Sequence, residues 1–157
     1  MRNENDRAAA IVLRNNMVLL IYRRTDGREY YVFPGGHIEA NETREKAVVR
    51  EINEEASIQV QAERLLYRLH HDKLKIPDVH YYFLCRYLSG TPKLREDTNE
   101  YRENREGHEY HEPVWFAVSD LPDAVAYPLE VRDRLLADLK SQFSTEVVDL
   151  QYVGDPL

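Results

Sequence analysis

The sequence predicts an α/β chain, on three observations. Short β-prone apolar runs recur along its length (8–13, 17–23, 30–33, 65–69, 79–88 and 114–117), bounded by Gly, Pro, Asn or Asp. Two segments, Thr43–Ala56 and Leu129–Gln142, break that pattern with helical periodicity. At 157 residues, the length suits one domain, 1–157, with a real core.

Residues 1–6 are a polar end, without the apolar core of a signal peptide. Ala8–Leu13 and Met17–Arg23 flank Arg14-Asn15-Asn16 and read as a β-hairpin. Thr25-Asp26-Gly27 is a turn, and Tyr30–Phe33 is a strand that delivers the chain into Pro34-Gly35-Gly36. The stretch Gly35–Asn41 reads as a loop, with Asn41 suited to a left-handed turn. Thr43–Ala56 has good helix formers and no internal Gly or Pro, with acidic Glu42 at its start. Ile58–His71 reads as one or two strands, Pro77-Asp78 as a break and Val79–Leu88 as a strand. Alternation in that strand sends Tyr81 and Phe83 to one face and Tyr82 to the other. Lys93–His111 is charge-dense and reads as a long loop. Val114–Ala117 is a short strand, and Ser119–Pro122 starts a turn or helix. Pro128 opens a terminal helix, Leu129–Gln142, with Leu129, Leu135, Leu136 and Leu139 as its core stripe. The tail, 143–157, is apolar enough to dock, a second copy of the chain in a homodimer being one place for it.

A formal net charge of −7 argues against a dedicated nucleic-acid binder, but not against a phosphate-bearing ligand, because bound metal reverses the local sign. No run is long enough to span a membrane. A single cysteine, Cys85, rules out an internal disulfide framework and fits a reducing cytoplasm. Of the six histidines, His70, His71, His80, His108 and His111 show neither a helical i, i+4 pair nor a cysteine partner, so their spacing does not signal zinc.

Chemistry concentrates in the loop and first helix. At about 100° per residue, Val48, Val49, Ile52 and Ala56 share a core-facing arc. Glu51, Glu54 and Glu55 occupy a neighbouring arc at i, i+3 and i+4. Three carboxylates on one turn repel one another unless a cation sits among them, and hard dications such as Mg²⁺ or Mn²⁺ take oxygen ligands of this kind. A solvated acidic face explains the glutamates equally well but leaves the glycine loop unexplained.

Gly36, five residues, Glu42, seven residues, Arg50-Glu51-Ile52, one residue, Glu54-Glu55, one residue and Ser57-Ile58 together resemble the signature box of the Nudix hydrolases. Ser57 stands where that family usually has Gly, which should shift the helix end slightly. The resemblance implies an α/β/α sandwich around a mixed β-sheet, and hydrolysis of a nucleoside diphosphate linked to a group X. It also implies a Mg²⁺ or Mn²⁺ cofactor held by Glu51, Glu54, Glu55 and the Gly35 carbonyl. Catalysis would then rest on Glu51 and Glu54, with Arg50 tying the structural Glu42 to the helix, although Arg50 also suits a plain i, i+4 pair with Glu54. Family members often have a carboxylate outside the box that joins the metal or activates water. Glu109 and Glu112 are the candidates, and the spacing of Glu109 to Trp115 is similar to MutT. Arg23 and Arg24 read either as a strand-end pair or as phosphate contacts, with Arg24 favoured and Gly36 beside them at the substrate.

A MutT-like nucleoside triphosphate pyrophosphohydrolase matches the layout best. The MutT branch reads oxidised guanine partly with an Asn ahead of its last helix, and Ala124–Pro128 has no amide side chain. The post-box Pro of ADP-ribose hydrolases is absent at its usual distance, and the coenzyme A signature is missing. ADP-ribose or a nucleotide sugar is the alternative substrate, and a non-catalytic nucleotide sensor is the reading from another class.

Overall fold

Ala8 to Val12 are apolar at every position, and both faces of the strand they form are covered. The computed structural model of the chain describes residues 5–107 and 109–154. Strand β1 (Arg7–Arg14) is parallel to β6 (Asp78–Ser89) and antiparallel to β4 (Gly35–His37). Its far end meets β2 (Met17–Thr25), which also pairs with β3 (Arg28–Val32) and with β7 (Glu109–Ala117). β5 (Gln59–His71) is antiparallel to β6, while β8 (Ala126–Tyr127) and β9 (Val148–Gln151) run parallel to β3 and β5. The sheet is therefore mixed, ordered β8-β3-β2-β1-β6-β5-β9 along its main path. Asn15 and Asn16 both take positive φ, which closes the first hairpin with the twist its strands need.

Helix α1 (Arg44–Ala56) buries Ala47, Val48, Ile52 and Ala56 against Ala8, Ala10, Val12, Tyr81 and Phe83. On the opposite face, α3 (Leu129–Lys140) buries Val131 and Leu135 near Ala9, Ile11, Leu20 and Tyr82. This is the helix–sheet–helix layering expected, and Tyr81, Phe83 and Tyr82 divide between its two cores as alternation predicts. Each fully buried Ile or Leu contributes roughly 1.5–3 kcal/mol.

Several expectations need correction. The polar stretch expected as one loop contains α2 (Asn99–Glu106), started by the Thr98 hydroxyl accepting from Tyr101 N–H and ended by Gly107 at φ 80°. β7 begins at Glu109, five residues before the expected strand, and the residues Gly35–His37, expected in a loop, pair with β1. The buried side of α3 is Val131, Leu135 and Asp138, whereas Leu139 is exposed. Asp138 is tolerated there because it accepts from the Tyr67 hydroxyl at 2.7 Å and pairs with Arg134. Ser57 does not shift the end of α1: it takes the left-handed conformation at φ 57°, and its hydroxyl donates to the Lys93 carbonyl. Within the tail, Val148, Leu150 and Tyr152 pack onto the chain's own core. His108 lies outside the described residues.

Candidate active site

The glycine pair follows from close packing. A Cβ on Gly35 would lie 2.5 Å from the Ala8 carbonyl oxygen, and one on Gly36 would lie 2.4 Å from Glu51 Cδ. Neither glycine has a positive φ, so what this loop requires is space. The Glu42 carboxylate accepts from Glu39 N–H at 3.0 Å, inside the loop.

Arg50 joins loop to helix. Its guanidinium donates to Glu42 at 2.7 and 3.0 Å, to the His37 carbonyl at 3.0 Å, to Glu51 at 2.8 Å and to Glu54 at 3.3 Å. Both readings of Arg50 therefore coexist, and the fork geometry that a lysine lacks makes this possible. Hydrogen bonding to Glu42 pushes the Arg50 guanidinium further toward the charged form.

Glu51, Glu54 and Glu55 line a hollow with Asp97, Thr98, Asn99 and Glu100, so its wall is rich in oxygen donors. Burial raises the carboxyl of Glu51, with Arg50 acting against it. Glu55 is held well above the usual carboxylate range, by burial first and then by the charges of Glu51 and Glu100. Desolvated carboxylates that repel one another in this way are the donor set a hard dication fits. Glu51, Glu54 and Glu55 would hold such an ion. The Gly35 carbonyl accepts from Arg7 Nη2 at 3.3 Å, and it stands beside Glu55 in the next cleft.

That cleft, about 380 Å³, brings Gly35, Glu55, Arg7, Arg23, Glu100, Glu103, Glu109 and His111 together with the aromatic residues Phe33, Tyr82, Tyr127 and Tyr152. Glu109 sits inside it, 3.5 Å from Arg23 and 3.4 Å from His111, while Glu103 meets His111 at 2.9 Å. Glu112, by contrast, is exposed and accepts from the Tyr110 hydroxyl. Strand alternation separates the arginine pair. Arg23 faces the cleft, its Nε buried without an acceptor, whereas Arg24 lies over the Tyr110 ring at 5.1 Å beside a different hollow. The geometry thus favours Arg23 over Arg24 as the residue facing a cleft ligand.

Sequence reasoning missed Arg7, Glu100, Glu103 and His111. Arg7 opens β1 opposite His37, and no local spacing marks it. Glu100 and Glu103 lie on α2, whose Thr98 cap and Gly107 stop were the available signals. Asn104 pins this helix to β7, donating to the His111 carbonyl and accepting its N–H, both at 2.7 Å. At another part of the cleft, burial pushes His80 down to about 3, with His71, Arg7 and His37 adding to the effect.

Comparison with known proteins bears on this constellation. The NUDIX domain profile matches residues 4–139. A Mycobacterium tuberculosis protein that carries the name mutator protein MutT4 is 30% identical over 139 residues; the match takes in 82% of this chain and spans about half, 52%, of that protein. A MutT NUDIX hydrolase from Burkholderia pseudomallei superposes with a TM-score of 0.58 at 26% identity, covering 83% of this chain and 96% of that one. An ADP-ribose pyrophosphatase from Streptococcus suis gives a TM-score of 0.63 at 19% identity, covering 94% and 99%, a likeness of fold.

Proposed function

The chain belongs to the NUDIX domain family, and from that premise we propose that it hydrolyses a phosphoanhydride bond in a nucleoside diphosphate-X substrate, most closely as a MutT-like nucleoside triphosphate pyrophosphohydrolase. The observation that carries the reading is the junction of an oxygen-rich hollow with a mixed polar and aromatic cleft, Glu55 lining both. A bound Mg²⁺ or Mn²⁺ supplies charge neutralisation at the phosphoryl oxygens and lowers the pKa of water.

The chain's own residues do the rest. Glu51, Glu54, Glu55 and the Gly35 carbonyl would hold the ion, and Arg50 fixes the orientation of Glu51 and Glu54 against Glu42. Arg23 and Arg7 face substrate phosphate in the cleft, while Gly36 keeps the space beside Glu51 clear. Glu109 would take a proton from the attacking water, a role that its neighbours Arg23, at 3.5 Å, and His111, at 3.4 Å, support. Tyr82, Tyr127 and Phe33 offer apolar surface to a nucleoside.

ADP-ribose or a nucleotide sugar is the second reading, kept open by an observation that weakens an oxidised-guanine substrate without favouring a rival. The cleft is lined by Tyr127 and Pro128, in a stretch from Ala124 that has no amide to read a base edge. The test is a product analysis with Mg²⁺ or Mn²⁺ across 8-oxo-dGTP, ordinary dNTPs, ADP-ribose, nucleotide sugars and diadenosine polyphosphates. Monophosphate plus pyrophosphate from a triphosphate supports the first reading, and cleavage of ADP-ribose or a nucleotide sugar supports the second. Turnover that survives Glu54→Gln with Glu55→Gln refutes both.

A further inference from the structure

We infer that His71, Asp78 and His80 form a second metal site, built on the β5–β6 hairpin, that takes a transition-metal dication of the Zn²⁺ type. His71 and Asp78 face each other on a rung of that hairpin, and His80 lies two residues further along β6 on the side of Asp78. This long-range pairing assembles what residue spacing alone does not display.

Distances and burial support the site. Asp78 Oδ1 lies 3.3 Å from His71 Nδ1 and 3.4 Å from His80 Nε2, and all three ligand atoms fall within 4.8 Å of one another. Tetrahedral bonds of about 2.0–2.2 Å place neighbouring ligand atoms roughly 3.3–3.6 Å apart. The Asp78 side chain is 12% exposed, yet its Oδ1 is shut off from solvent and accepts no hydrogen bond. A buried carboxylate oxygen between two imidazoles, close to both and bonded to neither, is poorly explained as a salt link and well explained as a ligand. The imidazoles stack with centroids 4.0 Å apart, and Tyr152 covers His71 at 4.2 Å, so the rings are held in place.

Two imidazoles and one carboxylate are a borderline donor set, suited to Zn²⁺, whereas the glutamate hollow offers oxygen to Mg²⁺. Buried Asp6, which accepts from Val79 N–H, adds negative charge nearby, and Arg7 opposes it. Because His71 and His80 line the cleft, an ion there retains a position for water or for an anionic oxygen of the cleft's ligand. The inference stands whether or not the phosphoanhydride reading does.

The experiment titrates metal-stripped wild type and the Glu54→Gln/Glu55→Gln double variant with Co²⁺, then with Zn²⁺. We expect one Co²⁺ equivalent in the double variant, with the intense visible absorption of a four- or five-coordinate ion, bleached by Zn²⁺. Asp78→Asn and His80→Gln should weaken that binding by at least roughly 100-fold, beyond the loss typical of outer-sphere changes. In the wild-type fold, Co²⁺ should broaden the imidazole proton resonances of His71 and His80, a readout that does not depend on any variant folding. Binding that vanishes in the double variant, or that survives Asp78→Asn, overturns the proposal, as does Co²⁺ that leaves those two histidine resonances sharp.

Discussion

Replacing Gly36 with Ala tests whether the position of Glu51, rather than its mere presence, matters. The new methyl carbon would lie 2.4 Å from Glu51 Cδ and 2.5 and 2.6 Å from the two carboxylate oxygens. Ordinary contact begins near 3.4 Å, so the carboxylate must retreat by about 1 Å. The backbone bears no penalty, because Gly36 is not in the left-handed region. Since the clash is with the end of a side chain, the expected loss of stability is at the low end of overpacking, about 1 kcal/mol. If Glu51 holds the metal as proposed, misplacing its carboxylate by 1 Å should cost about 10²-fold in turnover. The control is Gly35→Ala, whose methyl meets the backbone of Ala8 and Ala9 at 2.5 and 2.6 Å and should damage the fold itself. Thermal melts of metal-free protein read the first effect; Mn²⁺ titration and kcat/KM on the best substrate read the second. Wild-type Mn²⁺ affinity and turnover in Gly36→Ala would refute the reasoning, and so would a melt as damaged as that of Gly35→Ala.

Arg50→Ala should destabilise the metal-free protein by roughly 2–4 kcal/mol, less than for a fully buried pair because the side chain is 23% exposed. It leaves Glu42 and Glu51, each 14% exposed, without their cation, so saturating Mg²⁺ should narrow the gap in urea midpoints; an unchanged midpoint would speak against the Arg50 hub. Ser57→Gly should change stability by less than about 1 kcal/mol, because relief of the left-handed backbone offsets the lost hydroxyl bond to Lys93; urea melts decide it, and a larger gain would mean the hydroxyl contributes nothing. Burial pushes the Cys85 thiol from 9.0 up to about 12. A group raised in the fold contributes stability that is whole below pH 9.0 and lost as pH climbs toward about 12. Iodoacetamide at pH 8.5 should therefore label Cys85 only after unfolding, and equal rates in buffer and in urea would contradict its burial.

What the sequence made legible was local. The box could be read because loop, carboxylates and arginine sit within one loop and one helix, where spacing converts directly into geometry. The hairpin at Asn15-Asn16 was readable for the same reason. What stayed hidden depends on pairing between distant segments. His71, Asp78 and His80 meet only because β5 and β6 align in one particular register. Arg23 and Arg24 could be recognised as a pair, but which one faces the cleft depends on β2 lying between β3 and β7. Helix α2 escaped notice because it buries no apolar stripe: capping at Thr98 and the Asn104 bonds to β7 hold it, and a hydrophobic pattern registers neither. Asp138 was missed because a charged residue is expected outside, and its buried partner, Tyr67, is 71 residues away.

The tail strand β9 lies along β5 from Tyr67 to His70, at the end of the sheet's main path. A thirteen-residue strand with an open edge is a template on which a second chain can add, and β9 occupies part of that template. Shortening the protein ahead of Val148 would therefore do more than remove surface. It would leave β5 sticky, favouring association that grows with concentration, and it would take away the ring over His71. Anyone preparing this protein at high concentration should regard its final strand as the stopper on the sheet's open side.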